Sequence, residues 1–526
     1  MDVGKLLTFP ASKFQKRTAL IFEENRFTYQ EFNDRVNRFA NALLRLGLRK
    51  GEKVATLLFN SNQFVEIFFA TVKIGGVFTP INFRFTAPEV FYILDHSDAR
   101  FFIYGEEFSN LIETIRSKLK KVDIYISVGE SISSSVLNDE KLLRDSFPNE
   151  PNIPISERDE CQLMYTSGTT GRPKGALLTH GNILWNLVNT ILGREEKEGE
   201  VSLVIGPLYH TAALNNHFIT RVALAGTSIL IKDFDPKKVM EIIKKEKVSV
   251  ISGAPAMYHM LLSLPYEEFD TRSITKCTTG ASILPNETKE RLMELFPNIN
   301  GVYDVYGCTE ATPSIAILNA RDSLRKRECV GPPVPFIEIR IVDDQDRDLP
   351  VGEVGELVCR GPNVMKGYYK DRKATREALK GGWFHTGDLG RMDEEGYVYV
   401  VDRKKDMIVS GGENIYPREI EEVLYHHPKI QDVAVIGIPD PIWGESVKAF
   451  VVLKNGEEMM REEEVIEYCK SHLASYKKPK SVEFMEFLPR NPSGKVLKTL
   501  LREQSRDRKG STGGNPKGCY GREAGE

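Results

Sequence analysis

The segment between Tyr165 and Gly175 contains the residue types that bind phosphate groups. Apolar Leu163 and Met164 precede it and predict a buried strand that runs into a loop. The loop carries hydroxyl side chains, glycines and two cations: Thr166, Ser167, Gly168, Thr169, Thr170, Gly171, Arg172, Lys174. Glycines let backbone N–H groups approach an anion closely, hydroxyls add donors, and lysine adds positive charge. The sequence therefore predicts a phosphate-binding loop.

The spacing within this loop excludes the commonest phosphate-binding motif. A Walker loop follows the pattern G-x-x-x-x-G-K-S/T. Here the residue five positions after Gly168 is Pro173, so the pattern fails. A flexible surface loop is the alternative interpretation of a run rich in Gly, Ser and Thr. The preceding strand and the Pro-Lys-Gly ending favour a nucleotide site.

The same segment resembles the signature loop of the acyl-adenylate-forming superfamily, which includes acyl-CoA synthetases, luciferases and the adenylation domains of peptide synthetases. Later segments resemble the other motifs of that superfamily in the same order: Tyr306–Glu310, Trp383–Asp388, Asp402–Asp406 with Ser410–Pro417, and Pro489–Lys495. The match covers about residues 15 to 504. Because chance does not produce all of these motifs in order, the chain is identified as a member of this superfamily.

The resemblance implies which residues surround the adenine base. Tyr306 would offer its aromatic face to the base, with Gly307 beside it. The segment Gly280-Ala281-Ser282 would pass close to the other face of the base. Asp304 would accept a hydrogen bond from the exocyclic amine.

The resemblance also assigns the ribose, the phosphates and the metal. Asp388 would accept both ribose hydroxyls, because a carboxylate offers two acceptor oxygens. Arg403 would contact the ribose or a phosphate from the other side. Thr309 would donate to the α-phosphate, and Glu310 with Thr166 would hold Mg²⁺, which prefers hard oxygen ligands.

Two further residues would act on the acid. The resemblance makes Lys495 the lysine that bridges the carboxylate and the α-phosphate, and it makes His210 a gate beside the carboxylate. Several assignments have structural alternatives: a core tyrosine for Tyr306, a solvated carboxylate for Glu310, an exposed charge for Arg403, a surface lysine for Lys495 and a core histidine for His210. His385 is expected to be structural.

The resemblance implies two reactions at one site. The acid would attack the α-phosphorus of MgATP to give an acyl-adenylate and pyrophosphate, and the thiol of coenzyme A would then displace AMP. A small C-terminal domain would rotate about a hinge at Asp402 between the two steps. Lys495 would leave the site, and the loop with Gly411 and Gly412 would approach the pantetheine of coenzyme A.

The sequence pattern indicates an α/β protein with several parts. Thr28-x-x-Glu31 predicts a capping box at the start of a helix whose apolar residues recur at helical spacing, and Pro236–Glu246 predicts another helix. Helical and strand-like segments alternate in the first part, which predicts stacked, largely parallel sheets. Short β segments after about Gly331, among them Gly355–Arg360, predict a small β-barrel-like part. We expect a large N-terminal domain over residues 1–401, a small mobile α+β domain over 402–504, and a disordered tail over 505–526 that is rich in glycine and charge.

Composition limits the possible functions. Lys and Arg number 71 and Asp and Glu 74, so a formal charge of −3 argues against a dedicated nucleic-acid binder. The seven cysteines form no C-x-x-C pair, and the N-terminus lacks a long apolar segment. Residues 64–81 include charges and a Gly-Gly pair, which favours a core helix over a membrane span. We therefore expect a reduced, cytoplasmic setting.

The identity of the acid depends on weaker signals. Acetate-specific relatives have a Trp at the position of Gly307, so glycine indicates an open pocket. The overall sequence pattern most resembles bacterial fatty-acyl-CoA synthetases, which predicts a medium- or long-chain acid. Fatty substrates of this kind would be compatible with peripheral contact between the protein and a membrane. An aryl acid such as benzoate or a cinnamate is the alternative.

Other functions fit the sequence less well. An amino-acid adenylation domain would have an acidic residue near Pro207–Leu214 for the substrate amine, and a carrier domain would follow Lys495. A non-catalytic nucleotide-binding protein would be expected to lack Thr309, Glu310 or Lys495, yet all three are present. No separate feature supports luciferase-type oxidation. The oligomeric state is not predicted.

Overall fold

The computed structural model describes residues 1–130, 133, 135–166, 172–280, 282, 284–454, 460–490 and 496–510, the last five by their backbone only. Among the sites predicted above, Ser167, Gly168, Thr169, Thr170, Gly171, Ala281 and Lys495 lie outside this range, as do residues 511–526.

The described strands are numbered along the chain. The first fifteen are β1 Thr18–Phe22, β2 Asn25–Thr28, β3 Lys53–Leu57, β4 Val77–Pro80, β5 Ala99–Gly105, β6 Ile124–Val128, β7 Leu137–Asn138, β8 Glu160–Thr166, β9 Lys174–Thr179, β10 Val201–Val204, β11 Thr227–Leu230, β12 Val250–Gly253, β13 Lys276–Gly280, β14 Val302–Gly307 and β15 Ser314–Leu318. The others are β16 Glu338–Val342, β17 Gly355–Arg360, β18 Gly367–Tyr368, β19 Phe384–Met392, β20 Val398–Arg403, β21 Ile408–Ser410, β22 Glu413–Ile415, β23 Ile430–Asp440, β24 Gly444–Leu453 and β25 Ser481–Phe484.

The described α-helices are numbered in the same way: α1 Lys5–Lys13, α2 Tyr29–Arg45, α3 Asn62–Lys73, α4 Ala87–His96, α5 Ser109–Arg116, α6 Asp139–Arg144, α7 His180–Gly193, α8 Ile219–Ala223, α9 Pro236–Glu246, α10 Pro255–Leu262, α11 Asn286–Leu295, α12 Arg372–Ala378, α13 Pro417–Tyr425, α14 Glu462–His472 and α15 Lys498–Gly510. A π-helix at Ala212–Phe218 leads into α8, and a short 3-10 helix covers Thr309–Ala311.

Helix α2 shows how local sequence sets the elements. Thr28 accepts a hydrogen bond from the backbone N–H of Glu31, and the Glu31 side chain accepts one from the N–H of Thr28. This is the capping box predicted from Thr-x-x-Glu. Phe32, Phe39 and the other apolar residues at helical spacing are buried. The helix therefore begins where its cap places it and packs through the predicted face.

Two large sheets with parallel centres form the first part of the chain, so the predicted α/β class is confirmed. One has the order β15-β14-β13-β12-β10-β11-β1-β2, and the other has the order β18-β9-β8-β4-β3-β5-β6-β7. In the first sheet, β10 to β14 run parallel and their carboxyl ends share one edge. Ligands bind at such edges in open α/β sheets.

The chain divides into two compact units. The first comprises Met1–Thr386 and Gly390–Val400, and the second comprises Gly387–Leu389 and the described residues from Val401 on. The predicted β-rich part corresponds to the four-stranded sheet β16-β17-β19-β20. In the second unit, β22-β21-β24-β23 form a sheet with β25 beside β24, and α13 and α14 cover an apolar core that includes Ile420, Val435 and Val465.

Two sequence-based expectations about segments can be compared with the structure. The apolar segment after Phe64 forms α3, which is buried along most of its length, and no described helix has the length and apolar character needed to cross a bilayer.

The predicted disordered tail begins too early, because α15 continues to Gly510. Ser505 is buried there and its hydroxyl donates to Leu501 O at 2.9 Å, so helix packing continues beyond the last apolar residue.

Candidate active site

The predicted phosphate loop joins two paired strands. Thr166 ends β8, Lys174 begins β9, and the two residues are directly opposite in an antiparallel pair. The Thr166 hydroxyl lies 3.4 Å from Lys174 O. The described stem therefore places a hydroxyl and an ammonium group at the two ends of the loop.

A tyrosine that no motif indicates connects this stem to Glu310. Tyr368 in β18 pairs with β9, and its ring lies 5.1 Å from Lys174 Nζ. Its hydroxyl donates to Glu310 Oε1 at 2.8 Å. Burial and the neighbouring Glu310 carboxylate raise the pKa of Tyr368, so it stays a neutral donor. Sequence reasoning missed Tyr368 because only the pairing of two distant strands brings it here.

The turn that carries Thr309 and Glu310 is held tightly. Thr309–Ala311 is a short helix, and Glu310 O accepts from the backbone N–H of Met365 at 2.7 Å. A Cβ at Gly307 would lie only 1.7 Å from Pro313 O. Position 307 must therefore be glycine with this backbone. Close backbone approach alone accounts for the absence of a side chain there, so the open pocket inferred from Gly307 remains a prediction.

The predicted adenine residues end two neighbouring strands. Gly280 ends β13 and is paired with Val305 of β14, directly before partly exposed Tyr306. Ser282 is exposed. The side chain of Asp304 is buried, with Lys289 Nζ 3.7 Å from Oδ2. Its contact with the exocyclic amine remains a prediction.

Asp388 and Arg403 contact each other within the second unit. Arg403 Nε lies 2.8 Å from Asp388 Oδ1. Nearby Asp402 is buried and accepts backbone hydrogen bonds from Arg403 at 2.6 Å and Arg418 at 2.9 Å. Burial raises the pKa of Asp402. These contacts join the predicted hinge residue to the first turn of α13.

The predicted coenzyme A loop requires its glycines. Gly411 and Gly412 turn the chain between β21 and β22 with φ of +60° and +85°. Residues that carry a side chain rarely adopt this backbone conformation. Gly411 N–H donates to Trp443 O at 2.8 Å. A Cβ at Gly411 would lie 2.7 Å from the Trp443 ring.

His210 lies in the turn that follows β10. Its C=O accepts from the N–H of Leu214 at 3.1 Å, and its ring packs against Tyr209. Burial, aided by the charge of Arg84, lowers the pKa of His210 to about 4. The imidazole is therefore neutral near pH 7. His385, expected to be structural, lies 3.4 Å from Glu356 and 3.9 Å from Asp346.

The donor set suits a shared Mg²⁺ ion. In the described part of the chain, no group of three or more His, Cys, Asp or Glu side chains could enclose a metal. Glu310 and Thr166 would contribute a carboxylate and a hydroxyl. Mg²⁺ retains several waters and is commonly held by one or two carboxylates together with substrate phosphates. The residues present therefore fit Mg²⁺ bound jointly with ATP.

Comparisons with known proteins identify the family of the chain. The family model of the AMP-binding enzymes matches residues 8–369, and that of the AMP-binding enzyme C-terminal domain matches residues 419–495. A feruloyl-CoA synthase of Amycolatopsis sp is 39% identical, over 93% of this chain and 96% of that protein. The long-chain-fatty-acid–CoA ligase FadD13 of Mycobacterium tuberculosis is 37% identical, over 91% and 93% respectively.

A solved structure extends the comparison to the fold. The anthranilate CoA ligase AuaEII in complex with anthranoyl-AMP has a TM-score of 0.89 at 27% identity, over 97% of this chain and 98% of that chain. The chain belongs to the AMP-binding enzyme family, and within it to the AMP-forming acyl-CoA ligases.

Proposed function

We propose that the protein joins an apolar organic acid to coenzyme A through the two reactions outlined above. The carboxylate attacks the α-phosphorus of ATP, the bond to pyrophosphate breaks, and the thiol then displaces AMP. The observation that carries the proposal is the cluster of Thr166, Lys174, Tyr368 and Glu310 around the ends of the phosphate loop. The cluster combines a cation and hydroxyl groups, which suit phosphate oxygens, with a carboxylate, which suits Mg²⁺.

Positioning and charge stabilisation supply the catalysis. Lys174 would neutralise the outgoing pyrophosphate, and Thr309 would donate to the α-phosphate. Glu310, oriented by Tyr368, would hold Mg²⁺ with Thr166, and the ion would supply positive charge between the phosphates. Fixed donors and charges of this kind stabilise a phosphoryl-type transition state without covalent help.

Residues near the acid have complementary roles. We propose that Lys495 bridges the carboxylate and the α-phosphate in the first reaction. His210 is neutral, so it contributes a hydrogen bond or a gate to the carboxylate and no countercharge. For the second reaction we propose that the chain turns about Asp402, with Gly411 and Gly412 beside the pantetheine.

The acid belongs to one of two classes. The sequence texture favours a medium- or long-chain fatty acid, and FadD13 is a relative with that activity in its name. The aryl alternative is supported by the similarity to a feruloyl-CoA synthase. One additional methylene in an apolar pocket changes the selectivity for an acid by only about 1–3 kcal/mol. The preferred chain length therefore depends on small differences in pocket shape, which the motifs do not encode.

A pyrophosphate-release assay tests the proposal. We expect release that depends on ATP, Mg²⁺ and an organic acid, with formation of the acyl-CoA only when coenzyme A is added. A panel of alkyl, aryl and amino acids separates the substrate classes. Failure of every acid to release pyrophosphate would refute the proposed function.

A further inference from the structure

Helix α4 packs against the back of the strands that carry the phosphate loop. Side chains alternate along β8, so Tyr165 points to the opposite side of the sheet from Thr166. There it packs against the apolar core that includes Ile93 and Leu94 of α4. A Cβ at Gly175 would lie only 3.3 Å from Tyr165 Cζ, so the ring passes directly over this glycine. The tyrosine ring therefore crosses from β8 over β9.

The last turn of α4 holds the end of β8 through one hydrogen bond. His96 Nδ1 lies 2.8 Å from the hydroxyl of Tyr165. Burial, together with the charge of Lys370, lowers the pKa of His96, whereas burial raises the pKa of Tyr165. Both groups are therefore uncharged near pH 7. Because Thr166 follows Tyr165 directly, this hydrogen bond fixes the backbone from which the phosphate loop departs.

The same helix holds the other end of the loop through Tyr92. This residue lies one turn before His96, and the two rings stack with centroids 5.3 Å apart. The Tyr92 hydroxyl donates to Pro173 O at 3.1 Å. The described ladder between β8 and β9 ends at the pair Thr166–Lys174, and proline has no N–H with which to extend it. A side-chain hydrogen bond therefore holds the backbone where the ladder cannot continue.

Helix α4 is itself firmly attached to the first unit. At its start, the backbone N–H of Thr86 donates to Glu89 Oε2 at 2.8 Å, an arrangement that stabilises helix starts. The residues of its apolar face are buried: Val90, Ile93 and Leu94. At its last turn, His96 O accepts from Lys370 Nζ at 3.0 Å. The helix is thus a fixed support, and we call Tyr92 and His96 the outer clamp.

We propose that Tyr92 and His96 are positioning residues that set the two ends of the phosphate loop for the first reaction. This inference rests on the proposed ligase function and adds two residues that belong to no motif. Thr166 and Lys174 extend from the clamped backbone and would face Mg²⁺ and the outgoing pyrophosphate. A misplacement of about 1 Å can lower a rate by about 100-fold, so hydrogen bonds behind the loop affect the chemistry in front of it.

The two half-reactions distinguish positioning from a general structural role. Tyr92→Phe and His96→Phe keep an aromatic ring and remove one hydrogen bond each. Each should lower kcat/KM for MgATP in adenylate formation about five-fold. Thioester formation from supplied acyl-adenylate releases no pyrophosphate, so its rate should stay at the wild-type value. Single-turnover measurements check both steps, and equal loss in both would overturn the proposal.

Combined variants test whether each residue acts through its partner at the loop. Tyr165→Phe removes the hydrogen bond that His96→Phe also removes, so the double variant should resemble Tyr165→Phe alone. Tyr92→Phe acts at the other end of the loop, and its combination with His96→Phe should lower kcat/KM for MgATP about 25-fold, because effects at independent sites add in free energy. Multiplied losses in the His96 and Tyr165 pair would contradict action through their hydrogen bond.

Tyr369→Phe is the matched control. The Tyr369 ring packs beside His96 with centroids 6.1 Å apart, and its hydroxyl donates to Asp98 at 2.8 Å. The variant removes a hydroxyl from the same aromatic cluster, but the partner of this hydroxyl is Asp98 instead of a loop residue. We expect wild-type kcat/KM for MgATP. A loss equal to that of Tyr92→Phe would show a general packing effect and overturn the outer clamp.

Failure of the outer clamp and failure of the ligase function give different results. Wild-type kcat/KM for MgATP in the Tyr92→Phe and His96→Phe double variant would overturn the clamp and leave the ligase function intact. Absence of pyrophosphate release by the wild-type protein with every acid would instead contradict the ligase function. Should His96→Phe fail to fold, Tyr165→Phe tests the same hydrogen bond from the strand.

Discussion

The proposed nucleotide side and the proposed acid side of the first unit are built differently. On the nucleotide side, charged groups such as Lys174 and Glu310 belong to short motifs, and Tyr368 links them. On the acid side, Ser252 and His217 belong to no motif, and the π-helix Ala212–Phe218 brings them into contact. The comparison teaches that motif residues can be recognised in the sequence, whereas contacts between distant segments arise only from packing.

The largest expected effect concerns Lys495, the proposed bridge between the carboxylate and the α-phosphate. Lys495→Ala should lower adenylate formation by at least 100-fold with every acid, because a positioned cation stabilises the developing charge. Thioester formation from supplied acyl-adenylate should be largely spared. Single-turnover measurements of both half-reactions check this. Lys470→Ala, at an exposed lysine paired with Glu467, is the control. Equal loss of both half-reactions would refute the assignment.

Gly307→Ala should have the next largest effect. The added Cβ would lie 1.7 Å from Pro313 O, so the turn that carries Thr309 and Glu310 must move. We expect the free energy of unfolding to fall by about 3 kcal/mol and adenylate formation to be lost with all acids. Denaturant titration and pyrophosphate release measure the two effects. Normal activity with an unchanged unfolding midpoint would contradict the geometry.

Tyr368→Phe should have a moderate effect confined to the nucleotide. The variant keeps the ring near Lys174 and removes the hydrogen bond to Glu310. We expect kcat/KM for MgATP to fall about ten-fold. The ratio of the kcat/KM values for an alkyl acid and an aryl acid should stay unchanged. Tyr369→Phe, which removes a hydrogen bond to Asp98, is the neighbouring control. A changed ratio of kcat/KM between the two acids in Tyr368→Phe would contradict a role of Tyr368 that is confined to the nucleotide.

The smallest expected effect concerns His210, the proposed gate beside the carboxylate. The pKa of His210 is about 4 in the folded protein, below the value of about 6.5 expected for a histidine in the unfolded chain. The unfolded chain thus binds more protons between these values, and stability from this group is lost as pH falls from about 6.5 towards 4. Activity from pH 6 to 8 should show no His210 inflection, so wild type and His210→Gln should have pH profiles of the same shape. An inflection near pH 6.5 that disappears in the variant would contradict a neutral His210.

Much of the fold was predictable because local signals set its elements. The Thr28 capping box, the helix from Pro236 to Glu246 and the strand from Gly355 to Arg360 form as expected. The disordered tail was predicted too early, since low apolar content after Ser505 hides the continuation of α15.

The candidate site was only partly predictable. Motifs indicated Lys174 and Glu310, but the contact of Tyr368 with both depends on the pairing of β18 with β9 across almost 200 residues. The burial of Asp304 beside Lys289 was likewise hidden, because a carboxylate next to a binding motif looks exposed in a sequence. The contact between His217 and Ser252 was also hidden, because it joins a π-helix to a strand 35 residues further along the chain.

Isotope transfer tests the central claim most directly. An acid labelled with ¹⁸O in its carboxylate should transfer one label to the phosphate of AMP in each turnover, because the carboxylate oxygen attacks the α-phosphorus. Mass spectrometry of the AMP formed with Mg²⁺, ATP and coenzyme A detects the transfer. We predict labelled AMP and unlabelled pyrophosphate. Unlabelled AMP, or ADP with labelled inorganic phosphate, would contradict activation through an acyl-adenylate.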